Sequence, residues 1–283
     1  MRANNWRTAD GEHPVALAVL SVRKLDARCR MLAGGQAVTF RLQRHWDAVP
    51  GEIALVAPDK RWRRAGTLRL SGTLISTGIQ ARLLGLTPLQ LRKTVMWDPD
   101  RHFWGDPGVP IGRWARPIIK RGPRQAYEME QVLPGFHYDH PDNDPIGISV
   151  DLKAVGDRAG AYRILNDLCE ADLRCLDAHA HLGNLAFDRR PEVAVRHYEA
   201  GFRIGELSLW KGFDGLLPWG QIDNRPFLRS MYGYALCLWR LGRFAEAVRI
   251  FRRMLWLNPT DNQGVRLVLA DVRAKRTWQP EIG

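Results

Sequence analysis

The densest group of possible metal ligands is His137-Tyr138-Asp139-His140, with Asp142 and Asp144 close behind. Imidazole and carboxylate at this spacing are ligand types for Zn²⁺ or Mn²⁺. A structural site needs a closed ligand set, and no second cluster supplies the rest; His179 and His181 are the further imidazoles that would have to join. A Pro-rich hinge whose polar side chains cap turns accounts for the same residues.

The second chemistry is basic-aromatic. Lys60-Arg61-Trp62-Arg63-Arg64 falls on an expected turn between two strands, and Arg101-His102-Phe103-Trp104, Arg113-Trp114-Ala115-Arg116 and Lys120-Arg121 follow. Arg and Lys neutralise phosphates, while Trp offers a stacking face for unpaired bases. Lys60, Arg61, Trp62, Arg63, Arg64, Arg113 and Arg116 are therefore candidates for contact with RNA or single-stranded nucleic acid. Trp beside Arg is equally how a small sheet covers an open face, with cation–π contacts holding the cover. Trp97 and Trp104 are expected in that packed role.

Catalytic signatures are missing. There is no G-x-x-x-x-G-K-[ST], no G-x-G-x-x-G after a strand, no G-x-S-x-G and no H-E-x-x-H, and Ser, His and Asp fall in no triad order. The expectation is a protein without a catalytic centre or cofactor. A metal-dependent enzyme around His137, Asp139 and His140 is the enzymatic alternative.

These candidates need a scaffold, and the 283 residues, 45% hydrophobic and 25% charged, suffice for two domains. No apolar run reaches the length of a membrane span. The apolar stretch from Pro14 to Val22 follows Asp10 and Glu12 rather than basic residues, which makes a poor signal peptide. A cytoplasmic location is expected, and the four cysteines, with no C-x-x-C pair, are expected as buried, reduced thiols.

The net charge of +12 is lopsided: residues 1–125 hold 22 Lys and Arg against nine Asp and Glu, while the remainder holds 20 against 21. Such a half attracts polyanions, whether nucleic acid, an acidic protein face or an anionic membrane surface. An Arg-favouring, high-GC bacterial coding style produces the same excess.

Period-2 alternation over 37–42 and 67–75, with the run 52–56 after the Val49-Pro50-Gly51 turn and Gly72 as punctuation, predicts strands of a small twisted sheet or barrel. A short helix is expected from Thr77 to about Gly85. Residues 97–144 are rich in Pro, Gly and Trp, and read as irregular but ordered. From Asp157 onward the spacing turns helical: Ala161, Ile164, Leu165 and Leu168 mark one face.

The segment Met231 to Pro259 then carries a pattern of its own. Ala235 and Ala247 are small where two helices would approach, Gly242 sits at a turn before Arg243 and Phe244, Phe251 is an aromatic knob, and Pro259 ends the second helix. The segment resembles the tetratricopeptide repeat family over one full repeat of about 34 residues. A weaker copy precedes it, with Leu182-Gly183, Ala194, Tyr198 and Gly201 in matching places. Between the copies lies an insertion, residues 209–226, read as a structured loop.

The resemblance implies a concave groove lined by first helices, which holds a peptide of a protein partner. By position, the groove residues are Asp177, Ala180, Asn184, Phe187 and Asp188 in the first copy, and Arg229, Tyr232, Leu236, Trp239 and Arg240 in the second. Asn184 matches the asparagine of carboxylate-clamp repeats, but Ala180 stands where that clamp has lysine, which argues against a chaperone-tail clamp. Whether the groove is open or filled by the insertion stays undecided at this level. The expected fold class is α+β: a small basic, mainly-β, barrel-like domain over 1–125 with an N-terminal helix, a Pro/Asp-rich connection over 126–156, and a helical domain over 157–278.

Overall fold

The computed structural model describes residues 13–42, 46–105, 108–136 and 143–279. Its first half is a closed five-stranded barrel of β1 (Val15–Arg23), β2 (Asp26–Met31), β3 (Ala37–Arg41), β4 (Glu52–Arg64) and β5 (Thr67–Ile79), in the order β1-β2-β3-β5-β4. All pairings are antiparallel except β3 with β5, which is parallel. Gly34-Gly35 turns β2 into β3, and Ala65-Gly66 turns β4 into β5, both pairs at positive φ as tight hairpins of this hand require. Inward side chains fill the barrel, among them Leu17, Val19, Val38, Phe40, Val56 and Leu70.

Several expectations shift here. The first element described is strand β1, not a helix. β4 and β5 each run for 13 residues, well beyond the predicted strands, and the helix expected after Thr77 is one 3₁₀ turn over Ala81–Leu84, closed by Gly85. The predicted boundary at 125 falls inside β7.

A separate two-stranded sheet follows, of β6 (Leu91–Trp97) and β7 (Arg124–Met129). The described residues between them are irregular apart from short helical turns. Trp97, Trp104 and Trp114 pack on one another at 5.8–6.0 Å between ring centroids, and Trp104 Nε1 donates to Pro99 O. A single turn of helix, α1 (Arg116–Arg121), precedes β7. The Arg124 guanidinium is buried 4.2 Å from the Trp256 ring centre, and burial lowers its pKa to about 10.

The second half is a run of helices packed in pairs: α2 (Pro145–Ala154) with α3 (Arg158–Ala171), α4 (Leu176–Ala186) with α5 (Pro191–Glu206), α6 (Arg225–Arg240) with α7 (Phe244–Leu257), then α8 (Val265–Arg273). α2 lies within the stretch read as a connection. Asp144 and Asp157 cap α2 and α3 by accepting from backbone N–H groups, and Gly242 at φ 73° lets the chain reverse between α6 and α7. First helices neighbour one another, α2 with α4 and α4 with α6, and α5 packs against α6.

The insertion joins the two-stranded sheet to the helices. Leu216 N–H donates to Gln125 O and Leu217 N–H to Leu257 O, while buried Asn224 bonds the backbone of Tyr127, Met129 and Pro218.

The barrel is not a bead on a string. Ala18, Val49 and Ile53, on its outer side, belong to the helical core. Around them, Ser21 Oγ donates to Glu170 at 2.6 Å, Arg23 pairs with Asp167 and Arg28 with Glu170, Arg190 pairs with Asp47, and Arg196 pairs with Glu52 at 2.7 Å. All four cysteines are buried free thiols. No helix among the described residues is long and apolar enough to cross a membrane.

Candidate functional site

Two surfaces gather the predicted residues, one on the barrel and one on the helices. Lys60 to Arg64 are not on a turn but form the last part of β4, with the turn one residue beyond. In a strand, neighbours face opposite ways, so the run is divided. Trp62 pairs with Arg69 of β5, Arg69 with Thr39 of β3, and Thr39 with Arg28 of β2. The chain neighbours Ala27, Cys29, Val38, Phe40 and Leu70 are buried in the barrel, so Arg28, Thr39, Arg69 and Trp62 form one outward row across four strands.

Lys60 and Arg64 lie in the flanking registers of that same side, opposite Ser71 and Thr67, whereas Arg61 and Arg63 pair with Leu70 and Leu68 and point the other way. Arg113, just before α1, and Arg116, its first residue, sit on the β6–β7 connection and line neither barrel cleft. The sequence reading missed Arg28, Thr39 and Arg69. The alternation Asp26-Ala27-Arg28-Cys29-Arg30 was the available signal for the first of them.

Two clefts of about 380 Å³ each open on this face. One is lined by Arg23, Asp26, Arg28, Thr39, Arg69 and Glu170, the other by Arg41, Lys60, Trp62 and Ser71. Part of the positive charge is neutralised from within the chain: Glu170 holds Arg28 at 2.6 Å, and Asp26 lies 3.4 Å from both Arg41 and Arg69. Arg69 Nε is buried and has no hydrogen-bond partner among the described residues.

On the helices, an open groove of about 310 Å³ runs between α4 and α6. Asn184, Phe187, Asp188, Arg229, Tyr232 and Leu236 line it, joined by Lys153 from α2. Six of the ten predicted groove residues thus come together. Asn184 Oδ1 accepts from the Tyr198 hydroxyl at 2.6 Å, and Tyr198 forms part of the groove floor. Asp177 is buried and does not line the groove; it accepts from Arg229 and Gln131 at 3.0 Å each. Ala180 is buried as well.

Trp239 and Arg240 are covered, though not by the insertion, whose backbone ties to β7 and the end of α7. The covering segment is the chain after α8. Trp239 Nε1 donates to Arg276 O at 2.7 Å, Trp278 packs edge-on against Trp239 and Phe187, and the Arg240 guanidinium lies over the Phe187 ring while donating to Phe187 O. No local pattern announces this contact, since Trp239 and Trp278 are far apart in sequence.

No known family model and no curated protein matches this chain. The site therefore rests on its own geometry. The predicted metal ligands His137, Asp139 and His140 lie outside the described residues, and Asp144 serves as the cap of α2. Among the described residues no group of three or more His, Cys, Asp or Glu is placed to hold a metal ion. His179 is buried, its Nε2 3.0 Å from Leu173 O, and burial pushes its pKa down to about 4. It is a neutral core residue at ordinary pH.

Proposed function

We propose that the protein is a non-enzymatic adaptor of the tetratricopeptide type that holds an extended segment of a protein partner in the α4/α6 groove. The observation that carries this reading is the open groove itself: apolar Phe187, Tyr232 and Leu236 beside Lys153 and Arg229 suit a segment with an apolar anchor and an acidic group. The family resemblance of Met231 to Pro259 supports it, because those residues form the α6/α7 hairpin.

A peptide array probed with the intact protein tests it. Acidic peptides with one large apolar residue are expected to bind, and Leu236→Glu is expected to weaken the selected peptides about 10- to 100-fold, as for a central interface anchor. An array whose bound set is unchanged by Leu236→Glu would remove the groove from the mechanism.

A second reading is favoured by one observation, the outward row of Arg28, Thr39, Arg69 and Trp62. Five-stranded barrels that take up oligonucleotides do so over strands 2 and 3 and the loops after strands 1 and 4. Here the basic face docks single-stranded RNA or another polyanion, with Trp62 as the stacking platform. In a polarisation titration with short single-stranded RNA, Trp62→Ala is expected to cost roughly 1–3 kcal/mol. Lys60→Glu with Arg64→Glu is expected to weaken binding further and to flatten its salt dependence. Absence of binding at low salt would end this reading and leave the groove.

A further inference from the structure

Where the β1–β2 turn meets α3, α4 and α5, the surface opens into a cleft of about 670 Å³, larger than the groove or the barrel clefts. It shares no lining residue with the α4/α6 groove. Its position between barrel and helices is where small-molecule sites concentrate, and its volume falls within the range of about 300–1,000 Å³ that such sites occupy.

The lining has two parts. Val22, Leu25, Tyr162, Leu182, Leu185 and Val193 supply an apolar wall. Lys24, Arg158, Arg189 and Arg190 supply cations, against one acid, Asp47, which Arg190 already holds at 2.6 Å. Arg158 is turned to the Leu185 carbonyl. Lys24 and Arg189 are exposed and have neither ion pair nor hydrogen bond among the described residues. His197, 2% exposed, also lines the cleft, and its buried Nδ1 has no hydrogen-bond partner among the described residues. Burial, and then the nearby His179, Arg196 and Arg190, hold its pKa well below the usual range, so the ring is neutral.

We propose that this cleft is a binding site for a small organic anion, an apolar or aromatic body bearing one carboxylate or sulfonate group. The body packs against the wall around Tyr162, Leu182 and Val193. The anionic group meets the rim at Lys24 and Arg189, whose charges no described residue neutralises. A buried nitrogen left without a partner is costly, and a polar atom of the ligand at His197 relieves that cost. No covalent step is involved; the role is recognition.

The probe is 8-anilinonaphthalene-1-sulfonate, an aromatic body with a single anionic group whose emission rises on leaving water, titrated into the intact chain with decanoate as competitor. One saturable site, displaced by decanoate, is expected. Lys24→Glu with Arg189→Glu changes two exposed side chains and is expected to weaken binding at least about 10-fold. Ala159→Trp, at an exposed lining position, is expected to fill the cleft and abolish binding while circular dichroism stays unchanged. Leu236→Glu, in the groove, is expected to leave binding intact, which separates this site from the peptide site. The proposal is overturned if no saturable site appears, if the charge reversal leaves affinity unchanged, or if Leu236→Glu removes binding. Should Ala159→Trp fail to fold, the charge reversal decides alone.

Discussion

Arg196→Ala is expected to destabilise the whole chain by about 3–5 kcal/mol, the loss typical of a buried carboxylate deprived of its cation. Glu52 is 1% exposed at the start of β4, and it accepts from the Val49 N–H at 2.9 Å and from Arg196 at 2.7 Å. Arg196 also donates to the Asp47 carbonyl, so its removal strips a second, part-buried acceptor. At roughly 2–4 °C per kcal/mol in a chain of this order of size, calorimetry should show a fall of about 10 °C.

The effect carries a pH signature. Burial raises the Glu52 pKa above its ordinary value of 4.5, against the opposing pull of Arg196 and the Val49 N–H. In that window the folded state holds the proton more tightly than the unfolded state. The contribution of Glu52 to stability is therefore fully present below the unfolded pKa and is lost as pH rises through the folded one. Without Arg196 the folded pKa climbs further, so the gap between variant and wild type should be wider at pH 8 than at pH 5. Glu52→Gln in the Arg196→Ala background should recover part of the loss at pH 8. A gap that narrows towards pH 8 would mean that the pair is not the clamp described here.

The second large effect lies among the helices. The Tyr198 ring is sandwiched between Gly183 of α4 and Gly233 of α6. A Cβ built on Gly183 would stand 2.7 Å from the ring, and one on Gly233 closer still. The ring cannot yield to one side without striking the other, and its hydroxyl is fixed on Asn184. Ala in place of Gly gains roughly 1 kcal/mol of helix propensity, but overpacking a rigid ring costs about 1–3 kcal/mol or more. Gly233→Ala is therefore expected to destabilise by about 2 kcal/mol at a clash this severe. In a Tyr198→Leu background, the same change should become neutral or stabilising. Denaturant unfolding of the four proteins closes the cycle, and additivity would exclude contact through the ring.

That sandwich also shows why the helical half was legible. Gly183, Ala194, Tyr198, Ala235, Ala247 and Phe251 are local letters of a packing rule, small where helices touch and large where they interleave. The hairpins α4/α5 and α6/α7 follow from them. β1 was hidden because Val15 to Val22 is apolar on both faces, one lining the barrel and the other meeting the helices. A two-sided apolar run has no period to distinguish strand from helix. α2 was masked by Pro145, which suits the first turn of a helix as well as it suits a hinge.

The surfaces were legible in proportion to how local they are. Lys60, Trp62 and Arg64 lie close together in sequence, but their neighbours Arg69, Thr39 and Arg28 arrive through strand register, which no single stretch of sequence encodes. In the groove, Asn184, Phe187, Tyr232 and Leu236 follow from helical spacing, whereas the cover on Trp239 is contributed by Trp278 from beyond α8.

The links between barrel and helices have a further consequence, for synthesis. The bonds from Ser21, Val22, Arg23, Arg28, Asp47 and Glu52 to α3 and α5 each span 142–149 residues. At about 5–20 residues per second, a ribosome delivers α5 roughly 7–30 s after β4. For that interval the nascent barrel presents Ala18, Val49 and Ile53 to solvent with Glu52 uncovered among them. While it waits for α5, the growing chain offers chaperones an apolar strip that the finished molecule conceals.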